Sequence, residues 1–386
     1  MRNYAEVRLQ NLISFLCALF FAIFSFTFVA EYRSAPMELV YDVVATGKLS
    51  FNVYLFSAIV TAVLVGLALW LNRFAKFQRE WTAMAYLPST LILGYITNVG
   101  RNLFSGFTHD DTWGWVFGLG IFVYIAFSFI LRRLLFEKIK NPTMAVNRLF
   151  WRNLIVLNIF FVMVGLLSGC DKSFEYEAQQ YVFMKRGDTK SALACGADFP
   201  SVSPELTAQR AYILSLEGCL GERIFEYPML YGADGLLPAT LRTSPLAPDS
   251  VYTLIGAERA EKEGALEYLE RVAVLDSASV VAKEYYLSAL LAEFKLVDFY
   301  DNFTKLHKGE SIPKHFKEAL VLCSYIVPEF KLPHGCEGFS RRFSEMLSDI
   351  KRGSVASSVG LELIYGDTYW WYFLKNFSRF SSISDN

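Results

Sequence analysis

The first half of the chain is interrupted by long stretches with no charged residue: 9–30, 49–72, 81–100, 112–131 and 153–170. Each approaches the roughly 20 residues that a helix needs to cross about 30 Å of hydrocarbon. A helix at the surface of a water-soluble domain carries an apolar stripe and a polar face instead. The pattern therefore predicts five membrane-spanning helices. The third carries Pro88 and Asn98, which a span tolerates where neighbouring helices satisfy the freed backbone groups. The first stretch is long for a cleavable signal, and no small-residue cleavage site precedes Glu31. It reads as a retained anchor.

Beyond Asp171 the pattern changes to helical periodicity with short breaks. Helices are expected over 174–184, 189–195, 205–216, 252–262, 265–274, 279–294, 297–307, 313–325 and 339–352, with a long irregular loop over 231–249. Most fall in pairs. Ala257 and Ala260 precede Ala289 and Ala292 by 32 residues, and Gly187 precedes Gly218 by 31. Helix pairs with small residues at a period near 34 resemble tetratricopeptide (TPR) repeats, although the Trp, Gly-Tyr and terminal Pro positions are mostly missing. The expected fold is all-α. A polytopic transmembrane half over 1–171 leads into a TPR-like helical-repeat (α-solenoid) domain over 172–386. The same helices packed as an irregular bundle are the alternative.

Composition sharpens the division. Of 386 residues, 53% are hydrophobic and 19% charged, with a net charge of −1. That small net charge is a sum of opposites: +5 up to Asp171 and −6 beyond it. A single soluble domain, a disordered chain and a nucleic-acid binder are all excluded by this balance. Basic residues follow alternate loops. Eleven lie in the N-terminal tail and the second and fourth loops, and three in the first and third. Lys and Arg stay on the cytoplasmic side, so the N-terminus is expected inside. With five spans, everything after Cys170 is expected in the bacterial periplasm. Trp70, Trp81, Trp113, Trp115 and Trp151 fall at expected span ends, where indoles form an interfacial belt.

Three segments carry a family resemblance. They are Gly235-Leu236-Leu237-Pro238-Ala239, then Ile312-Pro313-Lys314-His315-Phe316-Lys317-Glu318-Ala319-Leu320, and Tyr365-Gly366-Asp367-Thr368-Tyr369-Trp370-Trp371-Tyr372. Over about 175–373 the chain resembles a Bacteroidota envelope membrane-protein family of unknown function. Its members join N-terminal transmembrane helices to a C-terminal TPR-like region. The N-terminal half is similar only around 31–56. The chain is shorter than typical members, and its repeat consensus is weaker. The resemblance implies a fold and a compartment but no reaction.

Candidate chemistry is sparse. His109, Asp110 and Asp111 form a compact cluster in the third loop near Arg101, able to bind a metal or to act as acid and base; a solvated turn is the plainer reading. No histidine has the spacing of a zinc site, and no cofactor is implied. Glu31, Glu38 and Asp42 occupy the first outer loop. Polytopic glycosyltransferases that use lipid-linked sugars place catalytic acids there, so Asp42 is a candidate by topological analogy. Leu167-Ser168-Gly169-Cys170 has the form of a lipoprotein processing box, making Cys170 a candidate for acylation. Cys195, Cys219, Cys323 and Cys336 could form disulfides outside the cytoplasm or remain buried thiols. Tyr369, Trp370, Trp371 and Tyr372 could dock a partner or cap the last helix pair. The reading that gathers these features is a non-enzymatic scaffold or adaptor. It would sit among membrane lipids and bind envelope or periplasmic proteins through the concave repeat surface. The rival is a membrane-embedded envelope enzyme, such as a lipid-linked glycan transferase, or a transporter component.

Overall fold

A computed structural model describes residues 2–45, 51–75, 79–104, 112–135, 146–169, 171–239, 245–307, 311–352 and 358–384. Among these the fold is helical, without strands. The chain divides into two compact units, Met1–Ala178 and Gln179–Asn386.

In the first unit, α1 (Arg2–Thr27) continues through a π-helical turn, Phe28–Tyr32, into α2 (Ser34–Val44). Then come α3 (Val53–Ala75), a 3-10 turn (Arg79–Tyr86), α4 (Leu87–Thr97), α5 (Thr112–Leu135), α6 (Val146–Leu167) and the start of α7 (Lys172–Lys185). Among the described residues three helices are long and apolar enough to cross a membrane: Asn11–Tyr32, Val53–Phe74 and Asn147–Leu167. They match the first, second and fifth expected spans. The fourth lies in α5, where the apolar described stretch is the shorter Trp113–Phe127.

The third expected span, 81–100, is not one helix. Trp81 leaves helical geometry (φ −129°, ψ 20°) inside the 3-10 segment, and Pro88 sits in the first turn of the 11-residue α4. Proline is favoured there because it has no N–H to lose. The broken segment nevertheless runs the length of α6. At one end Asn153 Oδ1 accepts the Ala83 N–H at 2.8 Å, and Arg152 lies 4.5 Å over the Trp81 ring. At the other, Asn98 Nδ2 donates to Leu167 O at 2.9 Å. One side-chain amide thus satisfies a backbone N–H beside the break, and the other a carbonyl at the end of α6.

The second unit holds the end of α7 and then α8 (Thr189–Ala194), α9 (Pro204–Leu216), α10 (Leu220–Arg223), α11 (Pro248–Ile255), α12 (Ala265–Ala273), α13 (Val280–Ala292), α14 (Leu296–Leu306), α15 (Lys314–Ile326), α16 (Glu337–Arg352), α17 (Ser358–Tyr365) and α18 (Tyr369–Ser384). Starts follow local chemistry. Ser203 Oγ and Ser279 Oγ accept the N–H groups of Leu206 and Ala282, and Asp188 Oδ1 that of Ser191. Such caps satisfy donors that the first helical turn leaves orphaned. Stops are equally regular. Gly187 and Gly218 are left-handed (φ +75° and +67°), and the residue after each donates back into the helix. Their 31-residue spacing therefore marks two helix ends of one kind. Phe294 takes the same left-handed place (φ 57°) without being glycine.

The alanine spacing has no such structural meaning. α11 ends at Gly256 (φ 106°), so Ala257 and Ala260 follow the helix, whereas Ala289 and Ala292 lie within α13. From α12 to α16 each helix packs on the next, and α11 also packs on α13. α13 is buried nearly all round, from Tyr285 through Ala292.

Residues 219–239, which include the start of the expected loop, fold into the core. α10 packs against both α13 and α15, and the 3-10 turn Gly232–Leu236 against α9, α12 and α13. Leu220, Ile224, Phe225, Met229, Leu236 and Leu237 are buried. A Cβ on Gly221 would stand 2.9 Å from Pro313 Cβ and 3.0 Å from the Phe316 ring, so only glycine admits this approach. The chain itself thus covers these parts of α13 and α15.

Candidate functional site

Two places concentrate buried polar groups, one in each unit. In the first, the π-helical turn after α1 redirects the chain into α2. Arg33 just before α2, and Glu38 and Asp42 within it, are only 6%, 8% and 8% exposed. Further along, Arg101 Nη2 lies 2.6 Å from Oε1 of the fully buried Glu177. Charges are taken out of water at a cost of several kcal/mol each unless paired or hydrogen-bonded. Asp42, a candidate from sequence, is therefore held inside the fold beside Glu38, whereas Glu31 is exposed. His109, Asp110, Asp111 and Cys170 lie outside the described residues.

In the second unit, two of the segments that carry the family resemblance meet. Lys314, His315 and Glu318 stand on the first turns of α15, and Asp367 and Thr368 form the turn between α17 and α18. Lys314 Nζ donates to Asp367 Oδ2 and to Asp367 O, both at 2.8 Å. Its backbone N–H donates to Glu222 Oε2 at 2.9 Å. Arg342 reaches Asp367 Oδ1 at 3.3 Å. Beneath these exposed pairs, His315 Nε2 donates to Asp367 O at 3.3 Å. Glu318 Oε2 accepts the Tyr369 N–H at 2.7 Å, and the Glu318 carbonyl accepts Trp370 Nε1–H at 2.7 Å. Both His315 and Glu318 are fully buried.

Burial dominates the electrostatics. It pushes the Glu318 carboxyl up to about 8, against the Tyr369 N–H and Lys314, which favour the charged form. Burial, with Lys314 alongside, pushes His315 down to about 3. Burial also acts to raise Asp367, but the hydrogen bond and charge of Lys314, with Arg342, outweigh it and leave Asp367 below the usual range. Each group accordingly adopts the form its surroundings tolerate.

The aromatic run belongs to the core. Tyr369 and Trp370 are fully buried, Tyr372 nearly so, and Trp371 partly. Tyr369 and Tyr372 lie 4.9 Å from the Phe225 ring, and Trp370 lies 5.2 Å from Phe343. These contacts fit the capping alternative, with Trp371 the most accessible of the four. Cys195, Cys219, Cys323 and Cys336 are free thiols in this structure. Burial raises Cys195 to about 11 and Cys323 to about 12, far from a reactive thiolate. Among the described residues no three His, Cys, Asp or Glu side chains converge on a metal position.

Sequence reasoning singles out Asp42 and the aromatic run but passes over His315, Glu318 and Asp367 as chemistry. The signal is present: their polar letters punctuate otherwise apolar segments. Only the fold shows that those segments touch.

Residues 259–376 match a family of unknown function, DUF6057. That match includes α15, the α17–α18 turn and the aromatic run, and is shorter than the 175–373 of the sequence resemblance. No curated protein and no solved structure matches the chain.

Proposed function

We propose that the chain is a multi-pass inner-membrane anchor carrying a periplasmic TPR-like domain that holds envelope proteins together without chemistry of its own. The consecutive packing of α12 to α16, with α11 on α13, around one continuous core carries this reading. Stacked helix pairs present extended surfaces to protein partners. Because residues 219–239 cover α13 and α15, the reading puts the partner surface on exposed apolar side chains at the helix ends. These are Val274, Leu275 and Val280 around the α12–α13 turn, and Tyr325 and Ile326 at the end of α15. The net charge of −6 beyond Asp171 favours neutral or basic partners. The basic loops support a cytoplasmic N-terminus, with the broken α4 segment as a fifth crossing beside α6. Reporters fused after Asn141 and Asp171 should be active inside and outside respectively. Crosslinking and pull-down of the full chain, repeated with Val280→Glu plus Ile326→Glu, should lose the same partners from the variant. Undiminished capture would end the adaptor reading.

A second reading rests on α2. Three charged side chains are buried within ten residues of the first apolar helix, and intramembrane ionisable groups mark functional sites by default. At the same end of the bundle, α1 and α3 leave an open apolar groove lined by Ala22, Ile23, Phe26, Ala58, Thr61 and Ala62. An enzyme transferring a glycan from a lipid-linked donor would place the hydrocarbon in this groove and the headgroup at Glu38 and Asp42. Loss of cellular function in Asp42→Asn, with normal membrane insertion and unchanged partner capture, would favour this enzyme over the adaptor.

A further inference from the structure

Three helix ends of the second unit close in one way. After α7, α9 and α13 the chain turns through a left-handed residue: Gly187 (φ 75°), Gly218 (φ 67°) and Phe294 (φ 57°). At each, two N–H groups return to carbonyls of the helix just ended. Gly187 donates to Met184 O and Asp188 to Phe183 O; Gly218 donates to Ser215 O and Cys219 to Leu214 O. Phe294 donates to Leu291 O and Lys295 to Leu290 O in the same pattern. Glycine is the usual residue at the left-handed place of this closure.

Phe294 is therefore the exception. A left-handed backbone brings Cβ against the following carbonyl, and for a bulky side chain it is an outlier. A Cβ at Gly187 or Gly218 would meet nothing within 4 Å, so backbone geometry is what glycine supplies there. At Phe294 the ring has specific neighbours, both on α18. It stacks on Tyr372 (centroids 5.5 Å apart, planes at 18°) and meets Phe373 edge-on at 5.7 Å. α18 also covers the open end of α13. Tyr369 Oη donates to Leu291 O at 3.0 Å and Tyr372 Oη to Ala292 O at 3.4 Å, across 78 and 80 positions of chain.

We propose that Phe294 is a strained clasp that couples the docking of α18 to the turn between α13 and α14. With α18 in place, its rings hold Phe294 left-handed and the end of α13 stays closed. With α18 drawn away, the ring loses that support and the backbone relaxes out of the left-handed region. The Lys295 N–H then leaves Leu290 O. The change passes to the start of α14, where Val297 is 52% exposed and Asp298 faces solvent. Glycine would close this turn whether or not α18 were docked. Phenylalanine makes the closure conditional, so whatever displaces α18 is registered at α14.

The test uses the full chain in detergent micelles and reads amide hydrogen exchange at 294–296, corrected for intrinsic rate. Tyr372→Ala with Phe373→Ala removes both rings and should cost these amides about tenfold protection. The corresponding amides at 218–220, closed by glycine, should change less than about twofold. Adding Phe294→Gly should restore protection at 294–296, because glycine needs no support for a left-handed backbone. A merely structural ring would give no such recovery. Unchanged exchange at 294–296 in the double variant, an equal loss at 218–220, or no recovery with Phe294→Gly would overturn the clasp. Should the double variant fail to fold, Tyr372→Leu, which removes the stack but keeps apolar volume, is read the same way with and without Phe294→Gly.

Discussion

The first unit places large apolar side chains outside and charged ones inside; the second does the reverse. Phe15, Val63, Trp115, Phe122, Ile159 and Leu166 are mostly exposed in the first, while Arg33, Glu38, Asp42 and Glu177 are buried. In the second, Tyr268, Tyr285, Phe299, Phe316, Tyr369 and Trp370 fill the core, and most charges lie outside. In water the hydrophobic effect rewards burial of apolar area. In hydrocarbon it gives no drive for helices to associate, and helices meet through close packing and polar contacts. The first unit uses those contacts: Ser25 Oγ reaches Thr61 Oγ1 at 3.3 Å, and Ser89 Oγ donates to Leu64 O at 2.8 Å. Buried polar groups thus join elements in both units, in the first beside a buried apolar cluster that includes Phe21, Leu64, Tyr86 and Phe160.

The contrast can be broken by substitution. The largest effect is expected from Trp370→Ala, which empties a fully buried site and removes the bond to Glu318 O. It should cost about 3–5 kcal/mol in denaturant unfolding of the second unit, with insertion of the first unaltered. Val63→Lys, at the centre of α3 and 64% exposed, should cost about 3 kcal/mol in a membrane-insertion assay. Gly221→Ala should destabilise the second unit by about 1–3 kcal/mol through overpacking against Pro313 and Phe316. The smallest effect sharpens the contrast most. Val280→Lys, 72% exposed in the second unit, should stay within about 0.5 kcal/mol in the same unfolding measurement. Equal costs at Val63 and Val280 would mean that both faces meet the same solvent.

Legibility from sequence follows the range of the interactions. The helices expected over 205–216, 265–274 and 297–307 form within a residue of those limits, because serine caps, glycine stops and apolar periodicity act within a few positions. The end of α11 differs from expectation, since 256–262 reads as helical and only the left-handed Gly256 stops it. The 231–249 stretch reads as a long loop because it carries no regular periodicity. Here Glu293 Oε1 accepts the Ala233 N–H at 2.7 Å, drawing the segment inward across 60 positions of chain.

By itself, then, the sequence determined two dissimilar units, helices throughout and the approximate limits of most of them, since these depend on composition and neighbouring residues. Tertiary structure alone decided that the third apolar stretch is broken, that 219–239 packs into the core against α13 and α15, and that Glu318 and His315 lie against the turn at Asp367. Each of these depends on groups distant in sequence meeting where water is excluded, and on which donors and acceptors then remain to be satisfied.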